Sequence, residues 1–204
     1  CLTIGSELGG GGFARVYEAN IDLGSKHGGV KDVAFKKLHE RVKALGAQTL
    51  ADELLVQLEV AAHPNVVKVL GAVDDPGGVG FGLVLELAEF GTLYTRLQDT
   101  SRDLSWVARA QILLDVAEGV QALHEHRPTP IVHNDLKSPN VLLCNAGDGS
   151  IVAKVSDFGL AVSVRNASSM QSSKTGIGSA NWSAPEVGEK HYIPIPASDV
   201  WSLG

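Results

Sequence analysis

Apolar residues recur along this chain in two rhythms. In the first half the rhythm is alternation, the mark of a half-buried strand. Val33 and Phe35 fall on one face of a short run, and Ala34 and Lys36 on the other. Leu2 and Ile4, then Val16 and Tyr17, alternate on either side of the run Gly9-Gly10-Gly11-Gly12 and predict a hairpin. Val66 to Val73 and Phe81 to Leu87 predict two more strands, joined by the turn-forming Asp74-Asp75-Pro76-Gly77-Gly78. Thr49 to Ala62 is rich in helix formers, with Leu50, Leu54, Leu58 and Ala61 on one stripe. In the second half, Ser105 to His124 has helical spacing: Leu113, Val116, Ala117, Val120 and Leu123 predict a core stripe, and Ser105 a cap. Arg127-Pro128-Thr129-Pro130 ends that helix. Three short apolar runs follow, Pro130 to Val132, Val141 to Leu143 and Ile151 to Val155, then a proline-bearing loop from Tyr192 to Pro196 and a helix beginning near Ser198.

The chemistry-bearing residues sit between those runs. Val132 and Val141 bound the polar loop His133-Asn134-Asp135-Leu136-Lys137-Ser138-Pro139-Asn140, which gathers a carboxylate, a cation and an amide able to ligate a metal. Asp157-Phe158-Gly159 follows the run that ends at Val155 and adds a second carboxylate. A base on one loop and a metal carboxylate on another suit phosphoryl transfer, where catalysis is mostly positioning and charge neutralisation. Glycine lets backbone amides approach a phosphate closely. A glycine run alone reads as a flexible linker, but its place between alternating segments suits a hairpin tip over a nucleotide. Singly, a loop Asp or Asn is more often a turn former and a strand lysine more often solvated. The weight lies in their order and setting.

Together these motifs resemble the eukaryotic protein kinases, from Gly9 to Gly204. The resemblance implies a two-lobed protein-kinase-like α+β fold. Residues 1–88 would form a small antiparallel sheet lobe with one main helix and the hinge, and residues 89–204 a mainly helical larger lobe, incomplete at its C-terminus. It implies transfer of the ATP γ-phosphoryl group to protein Ser or Thr hydroxyls, with ATP and Mg²⁺ as cofactors. Asp135 would orient the hydroxyl and accept its proton, Lys137 would neutralise the moving phosphoryl group, and Lys36 would hold the α- and β-phosphates. Asn140 and Asp157 would hold Mg²⁺, whose preference for hard oxygens suits an amide and a carboxylate. Gly9 and Gly11 are the first two glycines of the covering hairpin, and Phe13 caps its tip. Val16, Ala34, Leu85, Glu86, Ala88 and Leu142 would surround the nucleotide, with Leu85 at the back of the pocket and the Ala88 amide on the adenine. Glu53 would pair with Lys36, a surface glutamate being the alternative. His133 reads as a packed histidine under Phe158, Ser179 as the hydroxyl facing the catalytic loop, Glu186 as structural, and Asp199 as the aspartate that bonds the catalytic-loop backbone. Lys137 points to Ser/Thr specificity. Trp182 and the run from Asp135 to Leu143 resemble the tyrosine-kinase-like group of Raf-type and receptor-like enzymes.

Three positions depart from that pattern. Ala14 stands in the place of the third glycine, and Glu53 lies one residue further from His63-Pro64-Asn65 than is usual, so that Leu54 takes the expected place. Asn134 replaces the arginine that usually receives a phosphate on the activation segment, and so removes the strongest charge-assisted contact. Ordering of the segment from Asp157 to Glu186, which carries Ser168, Ser169, Ser172, Ser173 and Thr175, is therefore expected not to require phosphorylation. A pseudokinase or nucleotide-binding scaffold, and an inactive truncated product, stay open beside the active enzyme. The retention of Lys36, Asp135, Asn140 and Asp157 favours the enzyme.

Composition narrows the setting. Of the 204 residues 44% are apolar and 20% charged, ordinary for a globular domain, and the net charge of -6 gives no reason to expect nucleic acid or an anionic membrane as partner. No apolar run approaches the roughly 18 residues of a membrane span. Cys1 and Cys144 lack metal-ligand spacing and make no disulfide scaffold, which suits a reducing cytoplasmic setting. The chain opens on Cys1 and stops in apolar sequence at Gly204. It therefore reads as a fragment cut at both ends, expected to be poorly stable alone.

Overall fold

The computed structural model describes residues 1–11, 14–24, 29–39, 57–60, 62–75, 78–101, 103–163, 179, 181–189 and 192–204. The chain divides into two compact units, Cys1–Leu55 with Lys68–Ala88, and Val56–Val67 with Glu89–Gly204.

The first unit holds a five-stranded antiparallel sheet. Its strands are β1 (Leu2–Gly10), β2 (Ala14–Asp22), β3 (Val30–Leu38), β4 (Val69–Asp75) and β5 (Gly80–Glu86), in the order β1-β2-β3-β5-β4. The pairing of β2 with β3 is unbroken from Ala14 opposite Leu38 to Asp22 opposite Val30. Both faces of the sheet are apolar. Val33 and Phe35 pack with Ala19 and Val84 on one face, while Ala34 and Leu38 join Ala14, Val69, Leu83 and Leu85 on the other. The alternation of β3 thus holds, although Lys37 is half-buried rather than fully solvated. Gly82 lets β5 lie against β3: a Cβ there would sit 2.2 Å from the Lys36 carbonyl oxygen.

The second unit contains α1 (Leu93–Gln98), α2 (Trp106–His124), the strands β6 (Ile131–Val132), β7 (Val141–Asn145), β8 (Ile151–Val155) and β9 (Val162–Ser163), and α3 (Pro196–Leu203). β6 pairs with β9 and β7 with β8, both antiparallel. α2 begins as expected, with the Ser105 hydroxyl accepting from the Ala108 N–H at 3.2 Å. Its buried face is Ile112, Asp115, Val116, Gly119, Val120 and Leu123. Leu113, expected in the stripe, is 57% exposed. Val116, Val120 and Leu123 are buried as expected, and at the start of the stripe Ile112 is buried in place of Leu113. At Gly119 the helix passes so close to Asn65 that a Cβ would lie 2.5 Å from its carbonyl oxygen.

The strand expected from Val66 to Val73 is divided. β4 begins only at Val69, whereas Val66 bridges Val155 in parallel and the Val67 N–H donates to the Val155 carbonyl at 2.9 Å. The free backbone edge of β8 is the physical reason, since its polar groups need partners. Of the helix expected over residues 49–62, residues 57–60 are described and helical; Gln57 and Val60 are buried and Leu58 is 52% exposed. Among the described residues no helix is long and apolar enough to cross a membrane.

Candidate active site

The loop between β6 and β7 is fixed from beneath by one side chain. Asp199, 1% exposed on α3, accepts the His133 N–H on one oxygen at 2.8 Å and the Asn134 N–H on the other at 2.9 Å. His124, at the end of α2, meets the first of these oxygens at 2.9 Å. With both N–H groups directed inward, the chain turns at Asn134 into the left-handed region, φ 65°. Asparagine tolerates that conformation far better than most side chains.

His133 is fully buried. Its Nε2 donates to the Ser156 carbonyl at 2.9 Å and its Nδ1 accepts the Asp135 N–H at 3.3 Å. Both ring nitrogens are thereby used and the neutral tautomer is fixed. The ring lies 5.3 Å from that of Phe158. This is the packed histidine that the sequence predicts, with a bracing role and no free proton to exchange.

Asp135 presents its carboxylate to three donors. Lys137 Nζ lies 2.6 Å from Oδ2, Asn140 Nδ2 lies 3.1 Å from the same oxygen, and the Ser179 hydroxyl donates to Oδ1 at 3.3 Å. Lys137 also donates to Ser179 Oγ at 2.8 Å, closing a ring of three groups. A 3₁₀ turn at Ser138–Asn140, with buried Leu136 before it, carries Asn140 back toward Asp135, where Nδ2 also donates to the Asp135 carbonyl at 2.8 Å. Because the amide donates through its nitrogen, its oxygen is the end able to ligate a cation.

The β7–β8 hairpin brings the second loop to the same place. Val141 pairs with Val155, so Asn140 and Ser156 are the next residues on adjoining strands. The Ser156 N–H and hydroxyl both donate to the Asn140 carbonyl, each at 2.9 Å. Asp157 follows in the left-handed region, φ 63°, and Phe158–Leu160 form a 3₁₀ turn with Phe158 buried. No cluster of three or more His, Cys, Asp or Glu forms a metal cage among the described residues. A hard cation at Asn140 and Asp157 would therefore complete its shell with phosphate and water, a pattern that suits magnesium.

In the first unit, Ala14, Val16, Ala34 and Leu85 gather in one apolar cluster with Leu87 beside them. Lys36 is half-buried and sits in register between Val16 and Leu83. The Glu86 carboxylate accepts the Lys68 N–H at 2.7 Å, and its own N–H donates to the Lys68 carbonyl at 3.0 Å, so both groups serve the sheet. A Cβ added at Gly9 or Gly11 would meet nothing within 4 Å among the described residues, so packing against those residues does not require glycine there. Ala88 closes the first unit, and half-buried Leu142 lies on β7 of the second. Phe13 and Glu53 lie outside the described residues.

The sequence matches the family described as protein tyrosine and serine/threonine kinase over residues 2–204. The chain belongs to this family. It is 36% identical over 204 residues to the probable serine/threonine-protein kinase SIS8 of Arabidopsis thaliana, covering 100% of this chain and 18% of that protein. It is 36% identical over 206 residues to the serine/threonine-protein kinase CTR1 of the same plant, covering 100% of this chain and 23% of the relative. A probable receptor-like protein kinase of Arabidopsis thaliana is 37% identical over 202 residues, 97% of this chain and 21% of its own length. The kinase chain thus spans about a fifth of the length of these relatives.

Several groups that brace this kinase site carry no motif of their own. The Asp115 carboxylate accepts the Ala153 N–H at 2.8 Å, and Asn65 Nδ2 donates to the Ala153 carbonyl at 3.1 Å. Ser198 donates to Glu186 at 2.9 Å, which gives that glutamate a partner on α3. The one available signal was polar residues on an otherwise apolar face, as with Asp115 on α2.

Proposed function

We propose that this domain is the catalytic part of a protein serine/threonine kinase, transferring the γ-phosphoryl group of ATP to Ser or Thr hydroxyls of a protein substrate. The observation that carries this reading is the Asp135 carboxylate, held by Lys137 at 2.6 Å and by Ser179 at 3.3 Å. Asp135 orients the acceptor hydroxyl and takes its proton as the new O–P bond forms and the γ-phosphorus bond to the bridging oxygen breaks, leaving ADP. Lys137 offsets charge on the transferred group and donates to the Asp135 carboxylate. Lys36 holds the α- and β-phosphates, with Glu53 as its partner. Asn140 and Asp157 are the residues that would hold Mg²⁺, which when bound neutralises charge on the phosphates. Gly9 and Gly11 cover the phosphates through backbone amides, with Phe13 as the cap of the tip, and the space around both glycines among the described residues supports this. Val16, Ala34, Leu85 and Leu142 enclose the adenine, which the Ala88 amide and the Glu86 carbonyl contact.

In this reading residues 1–88 form the smaller lobe and hinge and residues 89–204 part of the larger lobe. Dependence on ATP and a content of two cysteines, too few for a disulfide scaffold, favour an intracellular setting. The chain's acidic balance favours a protein over a nucleic acid as acceptor. Ala14, buried at the third glycine position, is the observation that favours the second reading, a nucleotide-binding scaffold without transfer. Incubating the full-length protein with labelled ATP, Mg²⁺ and a generic protein separates the two. Label recovered on serine and threonine supports the kinase. Nucleotide binding with no label on protein supports the scaffold.

A further inference from the structure

Asn134 holds a position that the catalytic reading leaves without a role. β6 pairs with β9 so that Ile131 lies opposite Ser163 and Val132 opposite Val162. Continued by two residues, the same register sets Asn134 opposite Leu160, in the turn that follows Asp157. The backbone N–H at Asn134 does not serve that pairing. It is turned to Asp199 Oδ1 at 2.9 Å, and φ at this residue is 65°. The side chain takes its place: Asn134 Nδ2 donates to the Leu160 carbonyl at 2.9 Å.

We infer that Asn134 is a positioning residue that extends the β6–β9 ladder by a side-chain hydrogen bond and thereby holds the Asp157 loop against the catalytic loop. Three properties are needed at this site, and asparagine has all of them. It adopts the left-handed conformation that the Asp199 contacts impose. It is short enough for its amide to stand in for a backbone N–H. It is a neutral donor, so it approaches the Leu160 carbonyl without placing charge among buried groups. Its Oδ1 is buried and makes no hydrogen bond to the described residues, which sets a cost against keeping the amide. Aspartate has the same shape but only acceptors when ionised, and would set its oxygens against the acceptor lone pairs of the Leu160 carbonyl. Glycine keeps the backbone conformation and removes the donor.

The test compares wild type, Asn134→Gly and Asn134→Asp in the full-length protein by amide hydrogen exchange without nucleotide. Loss of this part-buried hydrogen bond is expected to speed exchange in residues 158–163 about tenfold in both variants, with residues 112–123 of α2 unchanged. Unchanged exchange in residues 158–163 would overturn the inference. A uniform rise that includes α2 would also overturn it, because Asn134 would then be an ordinary stabilising residue. A kinetic arm rests on the kinase reading: kcat falls about tenfold in both variants, the worth of that bond, while KM for the protein substrate holds. If wild type transfers no phosphate the kinase reading fails, and the exchange comparison still decides the role of Asn134.

Discussion

Ser156 gives both its backbone N–H and its hydroxyl to the carbonyl oxygen of Asn140, each at 2.9 Å. That oxygen belongs to the last residue of the catalytic loop, and Ser156 directly precedes Asp157. The two loops are therefore joined by main-chain geometry at one end of the β7–β8 hairpin. Ser156→Ala keeps the N–H bond and removes the other, at an expected cost of about 0.5–1.5 kcal/mol in stability. Denaturant unfolding should show the midpoint moving with an unchanged m-value, and Mg²⁺–ATP affinity should fall with it.

Ser179 mediates between Lys137 and Asp135, accepting from one and donating to the other. Ser179→Thr keeps the hydroxyl and should keep most of the activity. Ser179→Ala leaves Lys137 without its second acceptor and should lower kcat by about tenfold, the worth of one charge-assisted hydrogen bond. Steady-state kinetics with ATP near saturation would check this, because the effect is expected in kcat and not in KM for ATP.

The glycines of the first unit divide by what surrounds them. Gly82→Ala puts a Cβ 2.2 Å from the Lys36 carbonyl, so β3 and β5 must separate. The expected cost is about 3 kcal/mol or more, at the upper end for overpacking. Gly9→Ala meets nothing within 4 Å among the described residues and should change stability by less than about 0.5 kcal/mol. It should nonetheless weaken ATP binding, by about three- to tenfold if one backbone N–H contact to phosphate is lost. Thermal melts and nucleotide titrations of the two variants should therefore move in opposite order.

Asn134 carries no charge, and its amide is engaged with Leu160. An activation-segment phosphate would find no guanidinium at this residue. The full-length protein treated with phosphatase to completion should keep more than about half of its initial transfer rate. Complete loss of the initial rate would show that phosphorylation orders the segment by some other contact. Residues 164–178, where the Ser- and Thr-rich stretch falls, lie outside the described residues.

The parts that sequence made visible share one trait: their signal is local. Alternation over a few residues marks β3, and Ser105 with the spacing behind it marks the start of α2. The polar loop between two apolar runs marks Asp135, Lys137 and Asn140, which the fold does bring together. What sequence could not show depends on contacts between distant residues. Asp115 and Asn65 both serve Ala153, a partnership that exists only once β8 lies beside α2. Leu113 and Ile112 both fit helical spacing, and only the packed fold decides that Ile112 is buried and Leu113 exposed. Val66 and Val67 read as the start of β4 because local pattern cannot tell which of two strands will claim them. At Asn134 the sequence shows a missing charge. The left-handed turn and the bond to Leu160 arise only once Asp199 has taken both N–H groups.

The role of Asp135 is tested most directly by comparing the full-length protein with its Asp135→Asn variant for transfer of phosphate to a protein and for binding of Mg²⁺–ATP. Asparagine keeps the shape and cannot accept the proton, so transfer should fall by about 10²–10⁴-fold while nucleotide affinity is little changed. Equal transfer rates in the two proteins would contradict the assignment of Asp135 as the group that handles the acceptor hydroxyl.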